Sequence, residues 1–226
     1  MEQIGTAAGD QEMIGVAIRS LGSIQFEQHD LAAARKSYEQ ALTIFEKINA
    51  TAFLQDANMA LASIDLEEGR QSDTERESRT ALEEFRKAKN VDAQANAGIL
   101  LARAMLAQHK IEDAQSIAAD ALRVTSTGSR ANQIAAATAM AETQTAAGKA
   151  ADAENRLKQL VNDAHKASLV PVEFDARLAL AEAEVKAGKS SAGRAQFASL
   201  EQDSRTKGFL LVAHKAAAAA KLATRD

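Results

Sequence analysis

The chain has 226 residues, of which 46% are hydrophobic, and its 27 basic and 31 acidic residues give a net charge of −4. Because these charges are mixed along the chain, they argue against nucleic-acid binding, which needs a concentrated basic face. The apolar content argues against disorder, and the absence of cysteine excludes disulfides, thiolate nucleophiles and cysteine-based metal sites.

The start of the chain is acidic where a signal peptide would be basic and then apolar, so we expect no signal peptide. The most apolar window, residues 134–141, is far too short to span a bilayer, and we expect no membrane insertion. A cytoplasmic protein fits these features, although an extracytoplasmic domain of a larger protein remains an alternative.

The residue types favour helices almost throughout. There is one proline, one tyrosine and no tryptophan, and few β-branched residues occur in runs. A compact globule of this size would normally use more aromatic side chains, whereas stacked helices can pack closely on alanine and leucine. The composition therefore predicts an all-α protein.

A period of about 40 residues divides the chain into helix pairs. Small-residue pairs in the second helix of each pair begin at Ala41, Ala81 and Ala121, and the turns inside the pairs keep the same interval. Those turns are predicted at His29, Gly69, His109, Gly148 and Gly188. The predicted repeats are 11–50, 51–90, 91–130, 131–169 and 170–207, followed by a capping helix at 208–226, all in one domain covering 1–226.

Three local signals accompany this period. Residues 1–5 resemble residues 45–49, so residues 1–10 are predicted to be the tail of an earlier second helix in a longer protein. Ser129 or Asn132 is a candidate cap for the helix that follows the loop at 126–129. Pro171 is placed where a helix should begin, since proline costs no hydrogen bond in the first turn.

One stripe on the first complete second helix organises its repeat. Ala34, Tyr38 and Ala41 share a helix face, and the small residues at either end allow a neighbouring helix to approach and enclose the tyrosine ring. Leu21 and Gly22 on the preceding helix are predicted to be the contact point.

Leu21-Gly22 in a first helix and the A-x₃-Y-x₂-A pattern of Ala34, Tyr38 and Ala41 resemble the tetratricopeptide repeat. Residues 114, 118 and 121, and residues 153, 157 and 160, follow the pattern more loosely. The period exceeds the usual length of about 34 residues, and the family's early aromatic residue and final proline are absent. The resemblance implies a right-handed α-α superhelix of five helix pairs plus a C-terminal capping helix, of the long-period type found in bacterial regulatory and signalling proteins.

In that fold the first helices line a concave groove that binds peptides or proteins, so we predict partner contacts along one face of these helices. The candidates are Arg19, Ser23, Phe26, Met59, Ser63, Leu66, Ile99, Arg103, Leu106, Glu142 and Glu182. Arg19 and Arg103 are expected to meet an acidic or C-terminal end of the ligand, and Glu142 and Glu182 a basic part. As an alternative, Phe26, Leu66 and Leu106 pack between adjacent repeats and do not contact a ligand.

The predicted function is a protein-interaction scaffold within a larger bacterial regulatory protein. The alternative is a self-association or sensor module, with a homodimer as one form, that controls an attached kinase or DNA-binding domain. No catalytic residues, cofactor or metal site are predicted, because the four histidines are scattered and no glycine-rich nucleotide loop is present. We therefore do not expect an enzyme.

Overall fold

The computed structural model describes residues 2–224, with side chains from Gly9 onward. Its helices are α1 (Glu2–Glu27), α2 (Leu31–Lys47), α3 (Thr51–Glu67), α4 (Gln71–Lys87), α5 (Val91–Ala107), α6 (Ile111–Val124), α7 (Arg130–Ala146), α8 (Ala150–Lys166), α9 (Val170–Lys186), α10 (Ser190–Thr206) and α11 (Leu210–Leu222). A short 3₁₀ helix at Thr125–Thr127 follows α6. Helix accounts for 86% of the described residues, and no strand occurs among them, which confirms the all-α prediction.

The helices stack in two layers. The odd-numbered helices α1 to α11 contact one another along an inner layer, and α2, α4, α6, α8 and α10 form the outer layer. Each outer helix packs against the inner helices before and after it in the chain. Each unit therefore buries its apolar surface against its neighbours, as expected of a solenoid.

The turns recur every 20 residues and share one geometry. The inner helix α1 ends with a residue in the left-handed conformation, His29 at φ 60°, and the equivalent residues include Gly69 and Gly148 at φ 79° and 81°. At the first of these turns the N–H of Asp30 donates to the carbonyl of Gln25, and that of His29 to Phe26. These two bonds form a Schellman motif, which satisfies the free carbonyl groups at the helix end. The predicted turns at 29, 69, 109, 148 and 188 are confirmed.

One junction departs from this geometry. Between α6 and α7 the turn is one residue shorter, and Gly128 has a negative φ of −85°. The 3₁₀ segment before it rises further per residue than an α-helix, which compensates for the missing residue. Asp92 on α5 holds the turn, because its carboxylate accepts the N–H of Ser129 at 3.0 Å. The side chain of Ser129 caps α7 by accepting the N–H of Asn132 at 3.2 Å.

Two helical ends test local predictions. Pro171 lies in the first turn of α9, as predicted. The prediction that residues 1–10 end an earlier second helix is wrong over the described residues: from Glu2 they continue without a break into α1, which is 26 residues long. Met1 lies outside the described residues. The sequence between residues 2 and 16 contains no proline and no helix-terminating turn, so nothing local stops the helix.

The core of each repeat is built on the predicted stripe. Ala34, Tyr38 and Ala41 are 0%, 3% and 0% exposed. The tyrosine ring lies against Gly22 so closely that a Cβ there would be 2.7 Å from the ring. Phe45 lies in the same way against Gly15. Glycine at these two positions lets α1 and α2 approach, and large side chains on the outer helix fill the space.

Ion pairs join each outer helix to the next repeat. Glu75 on α4 accepts a hydrogen bond from Lys110 at 2.7 Å, and Glu154 on α8 accepts one from Lys189 at 2.8 Å. The partners are 35 residues apart in both cases. Hydrogen bonding from Lys110, with further bonds from Arg79 and Gln108, lowers the pKa of Glu75 to about 2. These bonds tie the outer layer to the turn that begins each following outer helix.

Candidate functional site

The predicted partner-binding residues fall into three sets, one helical turn apart, and the structure places each set differently. The first set packs between units. Ile99 is only 7% exposed and contacts Ala121, Ala136 and Ala139, so it lies in the core and is not available to a ligand. Met59 is half-buried against the cluster that contains Phe85 and Leu101. This face is covered because it meets the neighbouring helices on both sides.

Arg19 belongs to the same set and is half-buried. Its Nε is buried and has no hydrogen-bond partner among the described residues. It lies near Asp56 on α3, whose pKa is raised by burial and partly lowered again by the Arg19 charge. Arg19 therefore shares its surroundings with a carboxylate of the next inner helix.

The second set lies on the concave face. Ser23 and Ser63 are half-buried and bond to their own helices, through the carbonyls of Arg19 at 3.2 Å and Met59 at 3.0 Å. The hydroxyl of Ser23 also accepts a hydrogen bond from Tyr38 at 3.2 Å. The charged members of this set, Arg103, Glu142 and Glu182, lie on three successive inner helices.

Arg103 and Glu142 form a bidentate pair across α5 and α7. The Nε and Nη2 atoms of Arg103 donate to the two carboxylate oxygens at 3.0 and 2.9 Å, and Asp175 on α9 lies 3.6 Å away. The nearby carboxylates raise the pKa of Arg103. The predicted separation of a basic and an acidic part of the groove is therefore wrong at this point, because the arginine is neutralised by the glutamate that follows it in the next repeat.

Glu182 on α9 has no such partner within hydrogen-bond distance in the described part of the chain. Its side chain contacts solvent inside the concave face but is surrounded by protein and faces Glu142. Burial, with a contribution from the Glu142 carboxylate, raises the pKa of Glu182 to about 7, although Lys215, Arg103 and Lys186 oppose the shift. This carboxyl therefore changes its charge near neutral pH.

The third set supplies apolar side chains. Phe26 packs against the cluster of Ala34, Tyr38 and Ile64, which favours the alternative that it joins adjacent units. Leu66 is half-buried on α3. Leu106 both packs against a core cluster and lines a cavity in the concave face. Only Leu106 of the three is placed to contact a bound molecule in that cavity.

The cavity has a volume of about 580 Å³ and opens on the concave side of α7 and α9. Glu142, Thr145, Glu182 and Val185 line it from these two helices, and Leu106 lines it from α5. Residues from the last two helices complete the wall: Phe197, Ala219, Leu222 and Ala223. Sequence reasoning missed these, because it considered only the first helix of each pair. The apolar residues in the short last helix are the signal that it overlooked.

The last helix also reaches the first repeat. On α11, His214 lies 4.2 Å from His29, measured between ring centroids. Its neighbour Lys215 forms an ion pair with Glu67 at the end of α3. The inner layer therefore curves until its two ends meet, and α11 closes one side of the cavity. No pattern in the sequence indicates this contact, since it results from the small rotation accumulated at every repeat.

Two other kinds of site were considered. Among the described residues, no group of three histidine, aspartate or glutamate side chains is arranged to hold a metal ion. No helix within 2–224 has the length and apolar character needed to cross a membrane.

Solved structures share this architecture. A Rap protein in complex with Competence and Sporulation Factor matches 84% of the chain with a TM-score of 0.71 and 16% identity, and the chain spans 56% of that protein's length. TTC0263, a tetratricopeptide repeat protein of Thermus thermophilus, matches 87% of the chain and 99% of its own, with a TM-score of 0.61 and 20% identity. The tetratricopeptide-like repeats of a putative kinesin light chain from Podosopora anserina match 88% and 94%, with a TM-score of 0.52 and 17% identity.

No protein-family model matches the sequence, and no curated protein matches it at a significant level. The structural matches define the fold: the chain is a tetratricopeptide-like solenoid of helix pairs, as the repeat pattern predicted.

Proposed function

We propose that the chain is a non-enzymatic scaffold whose concave cavity binds a segment of a protein partner. The observation that carries this proposal is the cavity of about 580 Å³, which combines an apolar wall with the Glu182 carboxyl. Such a volume is typical of ligand pockets, and a few polar groups on an apolar surface give a bound molecule its orientation. The Rap protein of the same fold was solved in complex with Competence and Sporulation Factor, which supports binding of a partner by this architecture.

The cavity selects the chemistry of the bound segment. Leu106, Val185 and Phe197 offer contacts for an aliphatic or aromatic side chain, while Glu182 offers an acceptor for a lysine or arginine. Because Arg103 is already paired with Glu142, it does not compete for the cation. A segment with an apolar residue next to a basic residue therefore fits the site. This retains the predicted basic contact at Glu182 and drops the predicted anionic contact at Arg103.

A positionally randomised peptide library tests this chemistry. Peptides retained by the purified protein at pH 8 should be enriched in lysine or arginine beside a large apolar residue. The Glu182→Gln variant should lose the basic preference and keep the apolar one. Glu83→Gln, which makes the same change on the exposed outer face of α4, should retain both preferences. Equal enrichment by all three proteins would refute binding in the cavity.

The raised pKa gives a second test of the same site. Because Glu182 is protonated below its pKa of about 7, it attracts a cation only as the pH rises through that value. The affinity for a selected basic peptide should therefore increase severalfold between pH 5.5 and pH 8 in the native protein. Fluorescence anisotropy titrations should show no such increase for Glu182→Gln, and an unchanged pH profile in that variant would place the basic contact elsewhere.

A further inference from the structure

The first helix exposes an apolar stripe that the rest of the fold buries. Of the large hydrophobic side chains that are exposed among the described residues, most lie on α1: Met13, Ile14, Leu21 and Ile24. Ile14, Ala17, Leu21 and Ile24 follow one another at intervals of three, four and three residues, which places them on one face of the helix. We call these four residues the N-terminal stripe. Leu21 and Ile24 are 48% and 56% exposed.

The same positions are closed in every later repeat. The residues equivalent to Ala17 are Ala57, Ala97, Ala136 and Ala176, and each is 0% exposed. The residues equivalent to Ile24 are Ile64, Ala104, Thr143 and Ala183, also 0% exposed. In the second repeat Ile64 packs against Ala34 and Tyr38 of the preceding outer helix. The N-terminal stripe therefore has the form of a helix-docking surface, continuous with the interface that joins the repeats.

The opposite end of the solenoid does not offer a matching surface. Where the inner helices place Ala62, Ala102, Ala141 and Ala181 against their own outer helix, α11 has Lys221, which is exposed. A lysine at a point of close helix contact would have to be desolvated. Head-to-tail stacking of one molecule on the next is therefore disfavoured, and the apolar surface at the first end must be covered in another way.

We propose that a second copy of this chain covers the N-terminal stripe, with the two α1 helices antiparallel about a two-fold axis. In the register where residue numbers of facing positions sum to 38, Ile14 faces Ile24 of the other copy and Ala17 faces Leu21. Each small residue then faces a large one, which allows close packing. The surface is thus self-complementary, as a closed two-fold interface requires.

The charges on α1 permit this pairing. Ser20, Gln25 and Gln28 flank the stripe and are uncharged, so the copies do not place like charges opposite one another along it. In the same register Asp10 faces Gln28 of the other copy. The interface would leave the concave cavity open, since that cavity is lined by α5, α7 and α9 to α11. Two identical binding sites would result in one dimer.

Light scattering coupled to size exclusion tests the dimer at protein concentrations of about 5 to 200 µM. The full chain should elute with twice its mass of 24.0 kDa. The double variant Leu21→Glu with Ile24→Glu should raise the dimer dissociation constant by about 100-fold or more, because four carboxylates would have to be buried. Leu222→Glu, at a residue 63% exposed on α11, is the matched control and should remain dimeric. Circular dichroism checks that all three proteins keep their helix content.

Each other outcome of that experiment contradicts the proposal. A monomer at the highest concentration would show that the stripe is not covered by a second copy. A mass that keeps growing with concentration would indicate open stacking, and a dimer that survives the double glutamate substitution would use another surface.

Cysteine cross-linking tests the antiparallel arrangement without disturbing the stripe. The chain has no cysteine, so Ser20→Cys introduces a single thiol close to the proposed two-fold axis. Mild oxidation should link it to its own copy in the other chain within the dimer. Gln28→Cys, far from that axis, should not cross-link. Efficient cross-linking of the Gln28 variant would instead mean that the helices are parallel, and failure of both variants would place α1 outside the interface.

Discussion

The outer and inner layers of this solenoid are built in different ways. Each outer helix buries a single stripe with large anchors, such as Tyr38, Phe45 and Phe197, and leaves the opposite face charged and solvated. The inner helices bury alanines on two faces, because an outer helix packs on each side of them. Only the concave face of the inner layer then remains open. Stability therefore depends on the outer anchors, and the candidate site depends on the few charged inner residues.

Removing an outer anchor should have the largest effect. Tyr38→Ala leaves a cavity beside Gly22 and should lower the free energy of unfolding by about 3 kcal/mol. Tyr38→Phe removes only the hydroxyl that bonds to Ser23, and should cost less than about 1 kcal/mol. Urea denaturation of both variants measures the difference. Similar costs for the two would mean that the hydrogen bond matters more than the packing of the ring.

How far the sequence predicts this molecule follows from the same comparison. The outer stripe at Ala34, Tyr38 and Ala41 was predicted because its large and small residues alternate at helical spacing, and each is buried by its nearest neighbours in sequence. Ile99 was misplaced because alanine-rich inner helices carry apolar residues on several faces, so their orientation is ambiguous. The contact between His29 and His214 was not predictable, since it depends on the curvature of the whole array.

The pair of Arg103 and Glu142 lies between these cases. The two residues occupy equivalent positions in adjacent repeats, and stacking brings equivalent positions side by side. Opposite charges one period apart were therefore a usable signal, but the sequence was interpreted as a gradient of charge along the groove. Comparing each inner position with the next repeat would have predicted the pair.

Breaking that pair should cost less than removing an outer anchor. Arg103→Gln leaves the half-buried Glu142 without its bidentate donor, and we expect a loss of about 2 kcal/mol in unfolding free energy. Arg76→Gln, which breaks an exposed pair with Asp73 on α4, should change stability by less than about 0.5 kcal/mol. If the two substitutions had equal effects in urea denaturation, the inner pair would be no more important than a surface one.

The ties between outer helices and the next repeat should contribute less again. Glu75→Gln should cost about 1 kcal/mol at pH 7, because it weakens the bonds from Lys110 and Arg79. Since the pKa of Glu75 is lowered to about 2 from 4.5, its contribution is complete above pH 4.5 and is lost as the pH falls towards 2. Denaturation at pH 7, 4 and 2.5 should show the two proteins converging, and a constant difference would contradict this.

The smallest effect is expected at the turn next to the first anchor. His29→Ala should cost less than about 1 kcal/mol, because the side chain is half-buried and contacts mainly His214. His29→Gly separates this contact from the backbone. Glycine adopts φ 60° without the penalty that a Cβ adds there, and the equivalent turns use Gly69, Gly148 and Gly188. The glycine variant should therefore be more stable than the alanine variant by roughly 1 kcal/mol, although both lose the imidazole. Urea denaturation that ranked alanine above glycine would mean that this turn is not left-handed.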